Sequence, residues 1–381
     1  MQIQWIHFAP IVSQAKEFYN VSAVAIDFFA LSFLIVYIFV SIQASYIIDT
    51  WGMKVGVGIG VLLMAVFGLM KGFYGENYKM VLIAQFGIGI GQPFLNNAIT
   101  KVGARWFPLK ERATVAGLCT LAQIVGMLLA LGITPLLVEA YGMKNMLMIY
   151  GVVTAVGAVT YLIFTKECPP TAPCPPGHDE RMKVFTGLKH IFKQRDMVIM
   201  IIGSFFGMGV FIAVTTWIEQ ILSPRGFSIE QAGIAGSLLM LAGIIGAILM
   251  GTLSDRLRKR KIFIIIAMLG AIPGLFGMTF AGSYELILTS CFVFGFFLIG
   301  GGPVNFQYCA EVSHPAPEAT SQGLFLLAGQ ISGVLFIIVP DIIFPGGDKT
   351  TTLILFIGSL VLTFILFLML RESKHIKTGD I

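Results

Sequence analysis

The sequence predicts an all-α membrane protein made of two pseudo-symmetric six-helix bundles, with eleven full spans and a truncated first span. Three features point there: an apolar composition, alternation of basic and nearly uncharged loops, and a repeat relating the two halves. Of the 381 residues, 56% are hydrophobic and 12% charged, and the mean hydropathy is +0.87. Soluble domains carry about 25% charged residues, so this chain has too little polar surface to cover itself in water. Apolar stretches of about 20 residues cross a bilayer as helices, and open sheet edges cannot be satisfied in lipid.

Taken in order, the segment Gln2 to Pro10 is apolar but too short to cross. It reads either as a frayed or interfacial stub or as the outer half of a span whose inner half is missing. It lacks the basic region and small-residue cleavage site of a signal peptide. Full spans run near 23–48, 55–72, 79–101, 113–136, 143–165, 197–221, 231–253, 262–281, 284–309, 319–344 and 350–370. The first half is therefore 1–165 and the second 197–370. Between them lies a linker, 166–196, which opens with Pro169, Pro170, Pro173, Pro175 and Pro176 and turns amphipathic from Met182 to Phe192. Residues 371–381 form a tail.

Basic residues fix the orientation. One side collects Lys54, then Lys101, Arg105, Lys110 and Arg112, the linker's Lys and Arg residues, the run Arg256 to Lys261, and the tail's Arg371, Lys374 and Lys377. The opposite loops are short and nearly uncharged. The basic side, with linker and tail, is expected to be cytoplasmic, and the membrane to be the plasma membrane. Cys119, Cys168, Cys174, Cys291 and Cys309 form no CxxC pair, so neither metal nor redox site is expected. No nucleophile constellation or phosphate loop suggests an enzyme, and no cofactor or nucleic acid is expected. The implied partners are a small molecule and the lipid bilayer, with the chain acting as a monomer.

The halves repeat. Ser45 to Lys54 corresponds to Gly251 to Lys261, with Asp255 lying 206 positions after Asp49. Thr114 and Gly117 match Thr320 and Gly323 at the same offset, and Gln123 matches Gln330 at 207. The sequence Gly251-Thr-Leu-Ser-Asp255-Arg256-Leu-Arg258-Lys259 resembles the signature of major facilitator transporters in the loop between the second and third spans of each half. Its first copy keeps Asp49, Gly52 and Lys54 but has Ser45 and Thr50 where the second has Gly251 and Arg256. A small residue lets helices approach closely, while the charges can pair between helices, so both copies read as gating elements. The alternative is basic loops that anchor topology.

Gly87-x-Gly89-x-Gly91-Gln92-Pro93 and Gly300-Gly301-Gly302-Pro303 stand at corresponding places. Such paired interruptions, with Pro93 and Pro303, indicate gating helices, or else close packing alone. Polar side chains within spans are costly in lipid and face the bundle interior. They include Asp27, Gln92, Asn96, Asn97, Gln123, Thr215, Thr216, Glu219, Asn305, Gln307 and Gln330, accompanied by Trp5, Phe205, Phe206 and Phe211. Candidate solute contacts among them are Trp5, Gln92, Asn96, Gln123, Phe211, Thr215, Asn305, Gln307 and Gln330, although each amide alone could equally bond helix to helix. Asp27 and Glu219 fall near outer ends of spans and Glu139 in a loop, which argues against strong proton coupling. No Arg or Lys is expected to be buried, which argues against anionic solutes.

Gln4-Trp5-Ile6, Phe18-Tyr19-x-Val21, Ile26-Asp27, Gln92-Pro93-Phe94, Arg105-Trp106-Phe107-Pro108 and the run Ala310 to Thr320 resemble the feline leukaemia virus subgroup C receptor-related transporters, a major facilitator family linked to choline, ethanolamine and haem. The resemblance covers most of the chain. It implies alternating access and a site formed by a first-span tryptophan, matched by Trp5, and glutamines of the fifth and eleventh spans, matched by Gln123 and Gln330. The family's seventh-span tyrosine falls at about Ile212, beside Phe211. A quaternary ammonium held by aromatic faces is consistent with these residues. Proton-coupled transport of carboxylates or hydrophobic compounds, haem transport, and a non-transporting receptor are the other readings. The histidines, His7, His178, His190, His314 and His375, are scattered, with His7 expected near a cavity wall.

Overall fold

The computed structural model describes residues 1–107, 112–169, 190–313, 316, 318–344 and 349–373. The regular structure among the described residues is helical, and nine helical stretches among them are long and apolar enough to cross a membrane. The number is lower than the expected eleven full spans because two of them run together in one helical stretch, 117–164, and the one at 79–101 is broken. The chain divides into two compact units. Unit 1 is Met1–Asp179 with Thr216–Gln220 and Ser228–Gly233, and unit 2 is Glu180–Thr215, Ile221–Phe227 and Ile234–Ile381. Most of the linker's amphipathic stretch, its prolines beyond Pro169, Lys110, Glu111, His178, His314 and Lys374 to Ile381 lie outside the described residues.

In unit 1 the chain opens with α1 (Gln2–Ile6), a 3-10 turn (Ala9–Ile11) and α2 (Val12–Tyr19). This segment is not frayed: Gln4, Trp5, Ile6, His7, Phe8 and Ile11 are all buried. Phe8, Ile11 and Val12 join Ile26, Phe29, Val81 and Leu147 in one core cluster. α3 (Ala23–Trp51) starts at Ser22, whose hydroxyl accepts from Ala25 N at 3.3 Å and so satisfies one free amide of the first turn. α4 (Met53–Phe73) follows after Gly52 alone.

Gly52 has φ +96°, and a Cβ there would lie 2.8 Å from the Glu167 carboxyl. Both the left-handed backbone and the neighbouring carboxylate require glycine. Gly52→Ala is expected to lower stability by about 1–2 kcal/mol, read as a fall in the thermal midpoint of the detergent-purified chain. An unchanged midpoint would contradict this account.

The expected span at 79–101 is two helices, α5 (Tyr78–Asn96) and α6 (Ile99–Trp106). Pro93 inside α5 cannot donate to the carbonyl four residues back, and the helix stops one turn later. Asn97, at the break, donates to Ser41 O and Ser45 Oγ at 2.9 Å and accepts from Tyr37, so the interruption is fastened to α3. The spans expected at 113–136 and 143–165 form one helical run, α7 (Arg112–Phe164), bent at Gly142, whose φ of 78° is non-helical. Glu139, expected in a loop, is therefore helical and exposed, three residues before that bend. α4 packs against α5 and α7. Gly91 permits this: a Cβ on it would lie 2.6 Å from Gly60 O, so the motif glycine serves close packing.

The second half runs through α8 (Arg195–Thr216), α9 (Ile218–Leu222), α10 (Ile229–Leu257), α11 (Lys261–Phe280), α12 (Tyr284–Leu298), α13 (Gly302–Ser313), α14 (Glu318–Ile343) and α15 (Thr350–Leu368). Within unit 2, α11 lies against α12 and α15, and α13 against α14. The chain breaks again at Ile299–Gly301, and Pro303 stands at the start of α13, where its missing N–H costs nothing. A Cβ on Gly300 would lie 2.8 Å from the Gly246 carbonyl carbon, a second backbone approach at the corresponding motif. Side chains such as Phe39, Ile42, Phe164 and Ile342 are exposed, while Gln85, Ser204 and Thr134 are buried. Large apolar side chains on the exterior, with the few polar ones turned inward, are the distribution a bilayer imposes.

Candidate functional site

Within unit 1, Trp5 is carried by α1 and is 6% exposed. Its indole N–H donates to Ala30 O of α3 at 3.2 Å, leaving its ring face as the part able to meet a ligand. With Phe8, Val12, Ile26, Asp27, Ala30 and Thr216 it lines a cavity of about 10 Å³, room for one water. Asp27 is buried and accepts from Trp217 Nε1 at 3.1 Å and Gln220 Nε2 at 2.8 Å. Glu219 is buried too and accepts from Ser13 Oγ at 2.6 Å.

Gln92 and Asn96 stand one turn apart on α5, and the side-chain carbonyl oxygen of each is buried without a hydrogen-bond partner. Two unmatched acceptors on one face form a place for a donor. Gln123 is engaged: its Oε1 accepts from Gln2 Nε2 at 2.8 Å, which fixes α7 to α1.

In unit 2, Asn305 Oδ1 and Gln330 Oε1 are likewise buried and unpartnered. Thr215 donates to Phe211 O at 2.7 Å, inside its own helix, so its hydroxyl proton is already bonded. Gln307 donates to Glu311 Oε1 at 3.0 Å, which joins it to a charge network. Phe205 and Phe206 form an aromatic cluster with Phe336, at 5.9 and 6.2 Å, and Phe336 stacks on Phe356 at 5.1 Å. Phe336 and Phe356 escaped the sequence reading because lone phenylalanines in apolar spans carry no signal.

The expectation of no buried basic residue is overturned by Lys71. It lies in the last turn of α4 and is fully buried. Its ammonium donates to Gln4 Oε1 and to Gln85 Oε1 at 3.0 Å, with His7 Nε2 at 3.5 Å. His7 is buried inside this cluster rather than on a cavity wall. Beside it, Gln4, Ile3, Val61, Met64, Leu95, Tyr150 and Thr154 help line a mostly apolar cavity of about 240 Å³.

The signature loops contain charge contacts in each unit. In unit 1, Glu167 accepts from Met53 N at 2.9 Å and Lys54 N at 2.6 Å, capping α4, and pairs with Arg105 at 2.5 Å. A carboxylate at a helix N-terminus satisfies free amides and complements the helix dipole. In unit 2, Glu372 accepts from Arg260 N at 2.7 Å and Lys261 N at 3.1 Å, capping α11. Glu372 lies 205 positions after Glu167, so the caps follow the repeat. The Arg260 side chain bonds Asp255, Ser254 Oγ at 3.0 Å and Glu311 at 3.2 Å, whereas Arg256, Arg258 and Lys259 are exposed. The side chain of Asp49 lies outside the described set.

The family profile of the Major Facilitator Superfamily matches residues 1–337. Solute carrier family 49 member A3 of Xenopus tropicalis is 30% identical over 355 residues, covering 88% of this chain and 73% of that protein. Choline/ethanolamine transporter FLVCR2 of Homo sapiens is 23% identical over 358 residues, covering 88% of this chain and 68% of its own length. For FLVCR1 of Mus musculus, at 24% identity, the chain spans 65% of the relative's length. Among solved structures, a D-xylose-proton symporter aligns with a TM-score of 0.75 at 16% identity, over 98% of this chain and 96% of that one. A bacterial homolog of the human lysosomal transporter Spinster aligns with a TM-score of 0.73, also at 16% identity, over 97% and 92% of the two chains. These likenesses extend over nearly the whole chain, and the resemblance read from Gln4-Trp5-Ile6 and its companion motifs stands among the curated relatives. This multi-pass membrane chain belongs to the Major Facilitator Superfamily.

Proposed function

We propose that the chain carries a small organic solute across the plasma membrane by alternating access of its two halves, acting as a monomer with linker and tail cytoplasmic. The solute is a cation or neutral polar metabolite, with choline and ethanolamine the first candidates. One observation supports this most: the unmatched buried groups at the candidate contacts Gln92, Asn96, Asn305 and Gln330 are all carbonyl oxygens. Acceptors without donors suit a ligand that brings hydroxyl or ammonium protons. Trp5 and Phe211 add ring faces, each worth about 0.5–2 kcal/mol to a cation. The names of the relatives FLVCR1 and FLVCR2 point the same way. Gating is assigned to Pro93, Pro303 and the two signature loops with their carboxylate caps.

The test is thermal stability of purified protein against choline, ethanolamine, haem, carboxylates and sugars, followed by uptake into liposomes. Ligand at about a hundred times its Kd adds about 2.7 kcal/mol. Choline or ethanolamine is expected to raise the midpoint, and Trp5→Ala and Gln330→Ala to abolish the shift. A shift from another compound alone would retain the transport reading and reject the amines.

A second reading, proton coupling, is favoured by the burial of Asp27 and Glu219. It predicts uptake driven by a pH gradient and abolished by Asp27→Asn or Glu219→Gln. Haem has less support, because His7 is already engaged with Ile3 O and Lys71.

A further inference from the structure

The cluster around Lys71 is not among the candidate solute contacts, and its hydrogen bonds are complete. An ammonium has three N–H bonds. Three acceptors face this one: Gln4 Oε1, Gln85 Oε1 and His7 Nε2. His7 Nδ1 lies 3.0 Å from Ile3 O, which assigns the ring proton to Nδ1 and leaves Nε2 as an acceptor. With every N–H directed at a protein acceptor, Lys71 does not present itself to an anionic solute.

Two of those acceptors flank Trp5 in sequence. The third side chain, Gln85, returns a hydrogen bond from Nε2 to Gln4 O at 2.8 Å. Gln4 donates onward to Tyr150 O at 3.0 Å and Thr154 Oγ1 at 2.9 Å. A single lysine on α4 therefore ties α1 to α5 and α7. Five residues are too few for α1 to hold its own helical form, so its conformation depends on these contacts. The acceptors around the Lys71 amino group are all neutral, so no opposite charge offsets its burial.

We propose that Lys71 is a positioning residue for the candidate solute site, setting the place of Trp5 by anchoring Gln4 and His7 on either side of it. This rests on reading Trp5 as a solute contact, and the experiment separates the two. The emission of Trp5 is isolated by subtracting the spectrum of Trp5→Phe from that of the full chain in detergent, and the subtraction is repeated in a Lys71→Met background. Lys71→Met is expected to shift the Trp5 component to the red and to increase its quenching by acrylamide. Choline affinity is expected to weaken about tenfold or more, with a smaller change in maximal uptake. Should Lys71→Met not fold, Gln85→Met, which removes one arm and keeps the charge, is expected to move Trp5 the same way by less. A folded variant with a lowered thermal midpoint and unaltered Trp5 emission would overturn the proposal, because packing alone would then explain Lys71. A Trp5 shift with no effect on choline would uphold it and reject Trp5 as a choline contact.

Discussion

Arg260→Met is expected to destabilise the chain by about 3–5 kcal/mol, the usual cost of removing one partner from a buried ion pair. The side chains of Arg260 and Glu311 are only 10% and 8% exposed. Without the guanidinium, Glu311 keeps only the Gln307 amide among the bonds described for its carboxylate, and its Oε2 is already unpartnered. Asp255 would suffer less, being 68% exposed. The measurement is the thermal or denaturant midpoint in detergent, with Arg256→Met as the exposed control. The double variant Arg260→Met, Glu311→Leu should recover much of the loss, since removing both charges leaves none stranded. A loss in Arg260→Met no larger than in Arg256→Met would refute this account of the network.

The second large effect is expected at Gly295. A Cβ on this α12 residue would lie 2.0 Å from Leu239 O and 3.0 Å from Leu239 Cα. Both are backbone atoms of α10, so no rotamer change can relieve the clash and the helices must separate. Gly295→Val should therefore cost at least the 1–3 kcal/mol typical of overpacking, and in practice should lower the yield of folded protein sharply. Gly358→Val, in the interior of α15 with nothing within 4 Å of the added carbon, is the control and should be nearly silent. Equal behaviour of the two variants would show that the α10–α12 approach is looser than described.

Much of this architecture is legible in the sequence because lipid makes the rules simple. Apolar length finds Ala23–Ile48 and Thr350–Leu368 within a few residues. The boundaries that miss are those set by single residues. Pro93 looks like a bend within one span, yet the chain ends α5 and restarts as α6. Gly142 joins two spans with no loop, since one residue at positive φ bends the run, and the polar residues around it, Glu139, Lys144 and Asn145, stay within helix. The candidate site is only partly legible. Polarity within spans finds Gln92, Asn96, Asn305 and Gln330, but cannot tell them from Thr215, whose proton goes to its own helix. Lys71 lies close enough to a span end to pass for an interfacial lysine, and only its partners from α1 and α5 reveal the burial. Glu167 and Glu372 were visible as Lys166-Glu167 and Arg371-Glu372 at the repeat offset, but they lie just beyond the last span of each half, where a search of spans does not look.

That placement bears on how the molecule can be taken apart. A division drawn at residue 165 would hand Glu167 to the wrong fragment and leave the start of α4 uncapped, and a reporter fused at Leu370 would do the same to α11 through Glu372. Co-expressed fragments should carry the chain through Pro169 on one side of the cut, and any fluorescent or affinity tag should follow Ser373. Fragments ending at 164 and 169 differ by only five residues, yet the longer one alone keeps the carboxylate that caps the start of its second long helix.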